Sequence, residues 1–282
     1  MVTIRFQRNS RTANRVISIP REHYTDRPIT SPRKSVSSRA KRLGLRPENL
    51  RVPRIILLSL NVGATASLIR ETRAEEVPWV YAARPMYVGT VAGSNVGIIW
   101  AAPGAPLATM IMEDLVACGA DVFLGVGSLG AIKPSIKIGD QVVPTVAVRD
   151  EGTSYHYLPS RIKAVSSRLI TRAIVNACDE LGVTCHRGPV LTTDAPYRET
   201  RPKIMYFQKR GVLGVDMETS ALLSLGIYRR VQVACILAAA SNLTSSRKKS
   251  GPFYIEGSRT AKDAVLTAVK VAVKATTRIV PF

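Results

Sequence analysis

Residues 121–140 read DVFLGVGSLGAIKPSIKIGD, and this stretch indicates how the chain folds. Its apolar start predicts a buried strand, and Gly125, Gly127 and Gly130 predict that the strand ends in a glycine-rich turn. Ligands of α/β sheets bind where strands end, and glycines there let backbone N–H groups approach an anion. The GxGxxG spacing gives weak support for a dinucleotide site, because no acidic residue at a second strand end marks a ribose. We therefore expect an α/β sheet with an anion-binding strand end, and a dinucleotide-binding fold is disfavoured.

Strand-like and helix-like stretches alternate along most of the chain. Residues 106–119, 161–182 and 260–280 have helical spacing. The alternation predicts one α/β domain over residues 51–282, with a sheet covered by helices. Residues 1–50 show no sustained helical or alternating pattern, which predicts a basic arm or a partly ordered extension. The strand candidates are RIILLSL (54–60), VGIIWAA (96–102), DVFLGVG (121–127), QVVPTVAV (141–148), GPVLTTD (188–194), GVLGVDM (211–217) and VQVACILAAA (231–240).

Length and composition limit the class of protein. At 282 residues and 46% apolar, the chain can form one large α/β domain or two small ones. Its apolar runs are shorter than the roughly 20 residues of a membrane-spanning helix and no signal-peptide block is evident, so we expect a cytoplasmic protein.

Four cysteines without a CxxC pair, and only three histidines, argue against a metal site. Cys118 and Cys235 lie in apolar runs typical of core residues, and a Cys178–Cys185 disulfide stays open.

The formal net charge is +20, and residues 1–50 carry 12 Lys and Arg against 3 Asp and Glu. Such an excess favours anionic partners, either phosphate-bearing small molecules or nucleic acid bound through the basic arm, but it is also typical of a solvated basic surface. Nucleic acid is the weaker alternative, because no aromatic residue interleaves with the Lys and Arg row of the last predicted helix to stack on bases.

Residues 211–226, GVLGVDMETSALLSLG, predict an apolar strand that turns into a helix, with Asp216 and Glu218 on either side of Met217. Two carboxyl groups at a buried strand end need hydroxyl or cation partners, and a ribose diol supplies two O–H donors to a carboxylate. Helix capping by Asp216, with Glu218 in the first turn, explains the same residues. Both interpretations stay open on the sequence alone.

Two further predicted strand ends carry polar side chains. GPVLTTDAPYRETRPKI (188–204) places Tyr197 and Arg201 after one strand, and AAASNLTSS (238–246) places Asn242 after another. The amide of Asn242 offers a donor and an acceptor together, as a nucleobase edge requires, although an Asn that forms a turn is just as ordinary.

Four stretches, taken in order, resemble nucleoside phosphorylase family I, and most of all its uridine phosphorylase branch. The resemblance covers about residues 54–245, and it implies a single α/β domain of three layers, in which helices flank a central mixed, partly barrel-like sheet. It also implies a pentosyltransferase that forms a dimer-based oligomer, such as a homohexamer, with sites at subunit contacts. Phosphate would be a co-substrate, and no metal or organic cofactor would take part. The stretches are GVGSLGAIKPSIKIGDQVV (125–143), RDEGTSYHYLP (149–159), GPVLTTDAPYRET (188–200) and GVLGVDMETSALLSLG (211–226).

In that family, phosphate attacks C1′ of a nucleoside, and ribose 1-phosphate and the free base are released. The resemblance implies uridine as the substrate. Arg84 and His23 would reach into the site of an adjacent subunit. The implied residues are Glu218, Asn242 and Arg201 for catalysis; Met217, Glu218, Asp216 and His23 for ribose; Arg84, Ser128, Gly63 and Gly127 for phosphate; and Tyr197, Arg201, Asn242 and His156 for the base.

The sequence departs from the family pattern where phosphate is expected to bind. Gly125 and Thr65 stand where these phosphorylases usually carry arginines, and each charged hydrogen bond in a shielded site contributes about 1.5–3 kcal/mol. Either Arg70 or Lys133 substitutes, or phosphate binds weakly, or water is the nucleophile, as in the nucleosidases of the same superfamily. Pro196 stands where relatives usually have a Phe that stacks on the base, so the identity of the base is left undecided. A purine nucleoside or methylthioadenosine phosphorylase and a non-catalytic nucleoside or nucleic-acid binder are the remaining alternatives.

Overall fold

A computed structural model describes residues 28–46, 50–81, 83–244 and 259–280. These ranges contain seven α-helices, ten β-strands and two short 3-10 turns, at Thr153–His156 and Pro196–Arg198. The helices are α1 (Pro32–Arg42), α2 (Val62–Thr72), α3 (Ala105–Ala117), α4 (Arg168–Glu180), α5 (Arg201–Gln208), α6 (Thr219–Arg229) and α7 (Arg259–Ile279). The strands are β1 (Ile55–Ser59), β2 (Glu75–Val77), β3 (Met86–Val91), β4 (Ser94–Trp100), β5 (Val122–Ala131), β6 (Gln141–Asp150), β7 (Ala164–Val165), β8 (Cys185–Thr193), β9 (Gly214–Asp216) and β10 (Gln232–Asn242).

The strands form one mixed sheet in which part closes on itself. The order is β10-β6-β8-β9-β5-β1-β4-β3-β2, and β10 also pairs with β5, so five strands form a closed ring. β5 lies parallel to both β1 and β10, whereas β9 joins its far end in antiparallel orientation. The short strand β7 pairs with β6. The predicted mixed, partly barrel-like sheet is confirmed.

Apolar side chains cover both faces of this sheet. In β1, Ile56 and Leu58 pack in the layer beneath α1, α3 and α6, whereas Ile55 and Leu57 pack in the layer beneath α2, α4 and α7. All five residues of β1 are buried, as expected for a strand with helices on both sides. The three-layer arrangement predicted from the sequence is therefore confirmed.

The structure corrects the prediction that the strand of residues 121–140 ends at its glycines. β5 continues to Ala131, so Gly125, Gly127 and Gly130 all lie within the strand. A Cβ atom at Gly125 would lie 2.6 Å from Sγ of Cys235, and one at Gly127 would lie 2.8 Å from Cβ of Leu60. The first two glycines therefore let neighbouring side chains pack close to the strand, and they do not form a turn.

Within residues 1–50, for which the sequence predicts a basic arm or a partly ordered extension, residues 32–42 are helical. They form α1, whose Val36 and Ala40 are buried against α3. The helix is rich in Ser, Lys and Arg, so its apolar stripe is too thin to be recognised from periodicity. The seven predicted strands and the helices at α3, α4 and α7 are present. The boundary at residue 50 stays a prediction.

The four cysteines are free thiols, including Cys178 and Cys185, which lie in the same apolar layer. Burial raises the pKa of Cys235 to about 12, consistent with its predicted place in the core. In the described part of the chain, no group of three or more His, Cys, Asp or Glu side chains is placed to hold a metal ion. Within the same ranges, no helix has both the length and the apolar character needed to cross a bilayer.

Candidate functional site

A cavity of about 210 Å³ lies where several strands of the sheet end. It brings Ser128 of β5 together with Asp216, Met217 and Glu218, which connect β9 to α6. The sequence interpretation required these two segments to share one cavity, and they do. The other lining residues are Leu60, Asn61, Ala102, Pro103, Leu129, Gly130, Glu199, Val215, Ala240, Ser241 and Leu243.

Asp216 is buried at the end of β9, and its carboxylate holds the start of α6. Its Oδ1 accepts a hydrogen bond from Oγ1 of Thr192 (2.7 Å). Its Oδ2 accepts hydrogen bonds from the backbone N–H of Thr219 (2.9 Å), from the Thr219 hydroxyl and from the backbone N–H of Glu218 (3.4 Å). Both oxygens are therefore already bonded within the protein, which favours the capping interpretation of Asp216.

Glu218 has a different environment, although it lies only two residues away. Its side chain is buried, with the residue 6% exposed, and Oε1 accepts a hydrogen bond from the backbone N–H of Gly104 (2.5 Å). Burial and the nearby charge of Asp216 raise the pKa of Glu218 to about 8, against the opposing effects of hydrogen bonds from the backbone N–H groups of Gly104 and Met217. The cavity thus contains a buried carboxyl group whose charge no described side chain compensates with a hydrogen bond.

A third carboxyl group, Glu199, also lines the cavity. Sequence reasoning did not select it as a site residue, although it belongs to the RET motif that follows Tyr197 after β8. Burial raises the pKa of Glu199 to about 7, and Lys203 opposes this rise. Lys203 itself forms an ion pair with Asp150. The cavity therefore has three carboxyl groups in its wall.

The sequence model of the phosphorylase superfamily matches residues 54–280. The chain belongs to the phosphorylase superfamily. Uridine phosphorylase of Thermococcus kodakarensis is 32% identical over a 179-residue alignment, which covers 58% of this chain and 65% of that protein. Guanosine phosphorylase of Halorubrum lacusprofundi is 27% identical over 187 residues, 66% of this chain and 78% of that protein. The crystal structure of uridine phosphorylase from Vibrio fischeri aligns with a TM-score of 0.70 at 27% identity, covering 80% of this chain and 91% of that one.

Of the residues expected to bind phosphate in this superfamily, only Ser128 lines the cavity. Gly127 lies beside it in β5, and the space next to its Cα is filled by Leu60 and Leu237. Gly63, in the first turn of α2, donates its N–H to Oδ1 of Asn61 (2.8 Å) and lines a neighbouring groove instead. The phosphate role of these glycines stays a prediction.

Arg84 lies behind the cavity wall. Its Nη1 donates hydrogen bonds to the carbonyl oxygens of Trp100 (3.1 Å) and Ala102 (3.0 Å), and its guanidinium carbon lies 4.2 Å from the centre of the Trp100 ring. Ala102 lines the cavity, so Arg84 supports the wall without forming part of it. Its predicted reach into an adjacent subunit, and the dimer-based oligomer or homohexamer in which this would occur, stay predictions.

At Gly125 and Thr65, where the family usually carries arginines, neighbouring side chains take up the surrounding space or form hydrogen bonds. The space that a side chain at Gly125 would need is filled by Cys235, and the Thr65 hydroxyl donates to Oγ of Ser59 (2.8 Å). Arg70 and Lys133 are exposed and do not line the cavity, so this structure gives no support to either as a substitute. Among the described residues, the cavity lining contains no Lys or Arg.

The residues predicted to bind the base do not line the cavity. Tyr197 is 82% exposed, Arg201 is exposed at the first position of α5, and His156 is exposed at the end of a 3-10 turn. Asn242 donates from Nδ2 to the carbonyl oxygen of Ile136 (3.1 Å). Its Oδ1 accepts hydrogen bonds from the backbone N–H (2.9 Å) and the hydroxyl (2.6 Å) of Thr244. Asn242 therefore forms a turn here, which is the alternative to binding a base.

His23, the predicted contact of the ribose 5′-hydroxyl, lies outside the residues that the structure describes. The cavity thus unites Asp216, Met217 and Glu218, which were predicted to bind ribose, with Ser128, which was predicted to bind phosphate, and it adds Glu199. It does not bring the predicted base residues into the cavity.

Proposed function

We propose that this chain is a nucleoside phosphorylase, which cleaves the N-glycosidic bond with phosphate as the nucleophile, and that uridine is the first substrate to test. One observation carries the proposal: the buried carboxyl group of Glu218 shares a cavity with Ser128. The uridine and guanosine phosphorylases among the relatives support a nucleoside as the substrate.

The proposed mechanism holds the ribose between these groups. Glu218 accepts hydrogen bonds from the ribose 2′ and 3′ hydroxyls, and Met217 packs against the sugar. Because an ionised carboxylate accepts both O–H donors, bound ribose lowers the pKa of Glu218 from its raised value in the empty cavity. Fixing the sugar in this way places C1′ next to the nucleophile and stabilises the positive charge that the ribose develops in the transition state.

Ser128 donates its hydroxyl to the nucleophile on the β5 side of the cavity. Phosphate attacks C1′, the bond from C1′ to the base nitrogen breaks, and its electron pair leaves with the base. The departing base takes up a proton from solvent and the attacking hydrogen phosphate releases one to it, so ribose 1-phosphate and the neutral base are the products. The chain supplies orientation and electrostatic stabilisation, and phosphate supplies the nucleophile.

A second candidate is hydrolysis of the same bond by water. The observation that favours it is the cavity lining, which carries three carboxyl groups and, in the described part of the chain, no Lys or Arg. Each charged hydrogen bond missing from a shielded dianion costs about 1.5–3 kcal/mol, whereas water needs no cation. Phosphorolysis remains the first candidate because the named relatives are phosphorylases.

The experiment measures release of the base from uridine, guanosine, inosine, adenosine and methylthioadenosine, each with phosphate and with sulfate at equal ionic strength. We expect base release that depends on phosphate, together with ribose 1-phosphate. Equal rates in phosphate and sulfate, with free ribose as product, would establish hydrolysis instead. No release from any of these nucleosides under either condition would leave a non-catalytic nucleoside binder and contradict both reactions.

A further inference from the structure

We infer that the outward face of α1 is a docking surface for the phosphate backbone of duplex DNA. This inference goes beyond the proposed function and does not depend on it, because no residue of α1 lines the cavity. On the sequence alone, nucleic acid is the weaker alternative, because no aromatic side chain is placed to stack on bases. A duplex keeps its bases stacked inside, so a surface that binds only its backbone needs cations and hydroxyl groups instead.

The charge of α1 is the first observation that carries the inference. Its eleven residues include five Lys and Arg and no Asp or Glu. One of these cations, Arg39, turns inward to the Asp114 carboxylate of α3. The other four are exposed, and none of them forms an ion pair with a described residue. The outward face therefore carries four positive charges that no described side chain neutralises. They belong to Arg33, Lys34, Lys41 and Arg42.

The arrangement of these cations is the second observation. They form two rows along the helix, and each row has a serine between its two cations. Residues four apart lie on the same side of a helix, about 6 Å from each other along its axis, so the two cations of a row are about 12 Å apart. A shallow groove of about 430 Å³ on this face is lined by members of both rows. The rows are Arg33, Ser37 and Lys41, and Lys34, Ser38 and Arg42.

Cations that flank hydroxyl groups match the chemistry of a phosphate backbone. Phosphate oxygens accept hydrogen bonds from Arg, Lys and Ser side chains, and such contacts hold a protein on DNA without reading the base sequence. The distance between the cations of one row is close to the major-groove width of about 12 Å, so the two cations can contact phosphates on both edges of that groove. The surface therefore fits a duplex of any sequence.

A membrane with anionic lipids would attract the same charges, but α1 lacks the apolar side chains that would enter it. Helices that lie in a membrane surface have a broad apolar face opposite the charged one. In α1, the apolar residues Val36 and Ala40 are buried against α3, and the exposed residues are all Ser, Lys or Arg. This composition favours a polymer of phosphates over a bilayer.

The other lysine-rich helix, α7, is a poorer candidate and supplies the control. Its Lys274 and Arg278 are both paired with Glu180 of α4, and Asp263 adds a negative charge. α7 covers the apolar layer on the opposite side of the sheet from α1. Its exposed Lys262 and Lys270 are therefore two lysines of the same kind on a different face of the molecule.

The test measures the affinity of the full chain for a fluorescently labelled DNA duplex by anisotropy, between about 50 and about 200 mM salt. The logarithm of the affinity should fall linearly with the logarithm of the salt concentration. The double variant Lys34→Ser and Lys41→Ser should reduce this slope by about one unit per lysine, and should weaken binding about tenfold or more at about 100 mM salt. The double variant Lys262→Ser and Lys270→Ser removes the same charge and should keep the slope of the natural chain.

Three results would overturn the inference. The first is no binding of the duplex at the lowest salt concentration, and the second is an equal loss in both double variants, which would show that only the net charge matters. The third is a loss of binding to phosphatidylserine vesicles in the α1 variant while its duplex binding is unchanged, which would assign this face to a membrane. Both variants should unfold at the temperature of the natural chain, because they change exposed side chains alone. Duplex binding is read without nucleoside cleavage, so failure of this inference is distinguishable from failure of the proposed function.

Discussion

Glu218 shows how a single carboxyl group can be kept reactive inside a protein. Burial disfavours its charged form, and the neighbouring Asp216 already holds the available hydroxyl donors. In the described part of the chain, the backbone N–H groups of Gly104 and Met217 support the charge of Glu218 before a ligand binds. Under the proposed function this group is the acceptor of a sugar diol, so we expect both the activity and the stability of the chain to depend on its ionisation.

Replacing Glu218 by Gln should lower kcat/KM for nucleosides by about 10²–10³-fold, because the amide keeps the volume but cannot accept both ribose hydroxyls as an anion does. The stability should respond in the opposite direction at high pH. The natural side chain keeps its proton in the folded state up to about pH 8 but loses it near pH 4.5 when unfolded. The free energy of unfolding should therefore fall between these values as the pH rises, by up to about 1.4 kcal/mol per unit.

Urea unfolding at several pH values, for the natural chain, Glu218→Gln and the surface control Glu71→Gln, measures this effect. The Gln variant should lack the part of the pH slope that Glu218 contributes and should be the more stable protein at pH values above about 8. Identical slopes in all three proteins would show that Glu218 is not protonated in the empty cavity.

The residues that the sequence assigns to ribose line the cavity, and those that it assigns to the base do not. Asp216, Met217 and Glu218 lie next to one another in the chain, so any fold that ends a strand there presents them together. Asn242 could not be assigned in the same way, because an amide that forms a turn and an amide that binds a base have the same sequence signature. Glu199 was missed because nothing in the sequence states which side of the turn after β8 points into the cavity.

At the scale of elements, β5 explains why an arginine cannot simply be restored at Gly125. This residue pairs with Leu58 of β1 on one side and Cys235 of β10 on the other. A Cβ atom there would lie 2.6 Å from Sγ of Cys235 and 3.4 Å from Cδ1 of Leu60. β5 lies between the parallel strands β1 and β10, so it cannot move away from both. A larger residue at position 125 therefore requires the neighbouring side chains to move.

Gly125→Ala should therefore lower the free energy of unfolding by about 1–3 kcal/mol, the usual cost of overpacking a core, and Gly125→Arg should cost more without improving phosphate binding. Cys235→Ala removes the Sγ atom, so the double variant should lose less than the sum of the two single changes. Gly152→Ala is the control, because its Cβ would make only an ordinary contact, 3.8 Å from Oδ2 of Asp194, at an ordinary backbone angle. Folding of Gly125→Arg at natural stability, with tighter phosphate binding, would contradict this account of the strand.

Elements with a clear apolar pattern were predictable, and elements without one were not. The core strands β1, β5 and β10 are apolar runs, and α4 and α7 have well-separated faces, so periodicity identifies them. β2 and β7 are two or three residues long and mostly exposed, and α1 has few apolar residues. Such elements are determined by what they pack against, which a single sequence does not contain.

At the scale of the whole molecule, α1 bears on where the folded domain begins. Arg39 donates to Oδ2 of Asp114 on α3 (2.5 Å), and the Tyr81 hydroxyl donates to the same atom (2.5 Å). Burial and the hydrogen bond to Asp114 raise the pKa of Tyr81 to about 12. With Asp114 only 3% exposed, the ion pair with α1 compensates a buried charge. We propose that the domain includes α1, and that any basic arm ends before it.

Deleting residues 1–46 should therefore destabilise the remaining chain, because it removes the cover of Val36 and Ala40 and leaves the Asp114 carboxylate without its cation. Loss of the partner of a buried charge alone costs about 3–5 kcal/mol, which corresponds to a fall in Tm of about 10 °C or more for a chain of this size. The control is the full chain with Lys34→Ser and Lys41→Ser, two exposed residues of α1, which lowers the charge but keeps every described contact with α3. Circular dichroism during heating distinguishes the proteins. A shortened chain that unfolds at the same temperature as the full chain would place the domain boundary after α1, at residue 50, where the sequence pattern alone puts it.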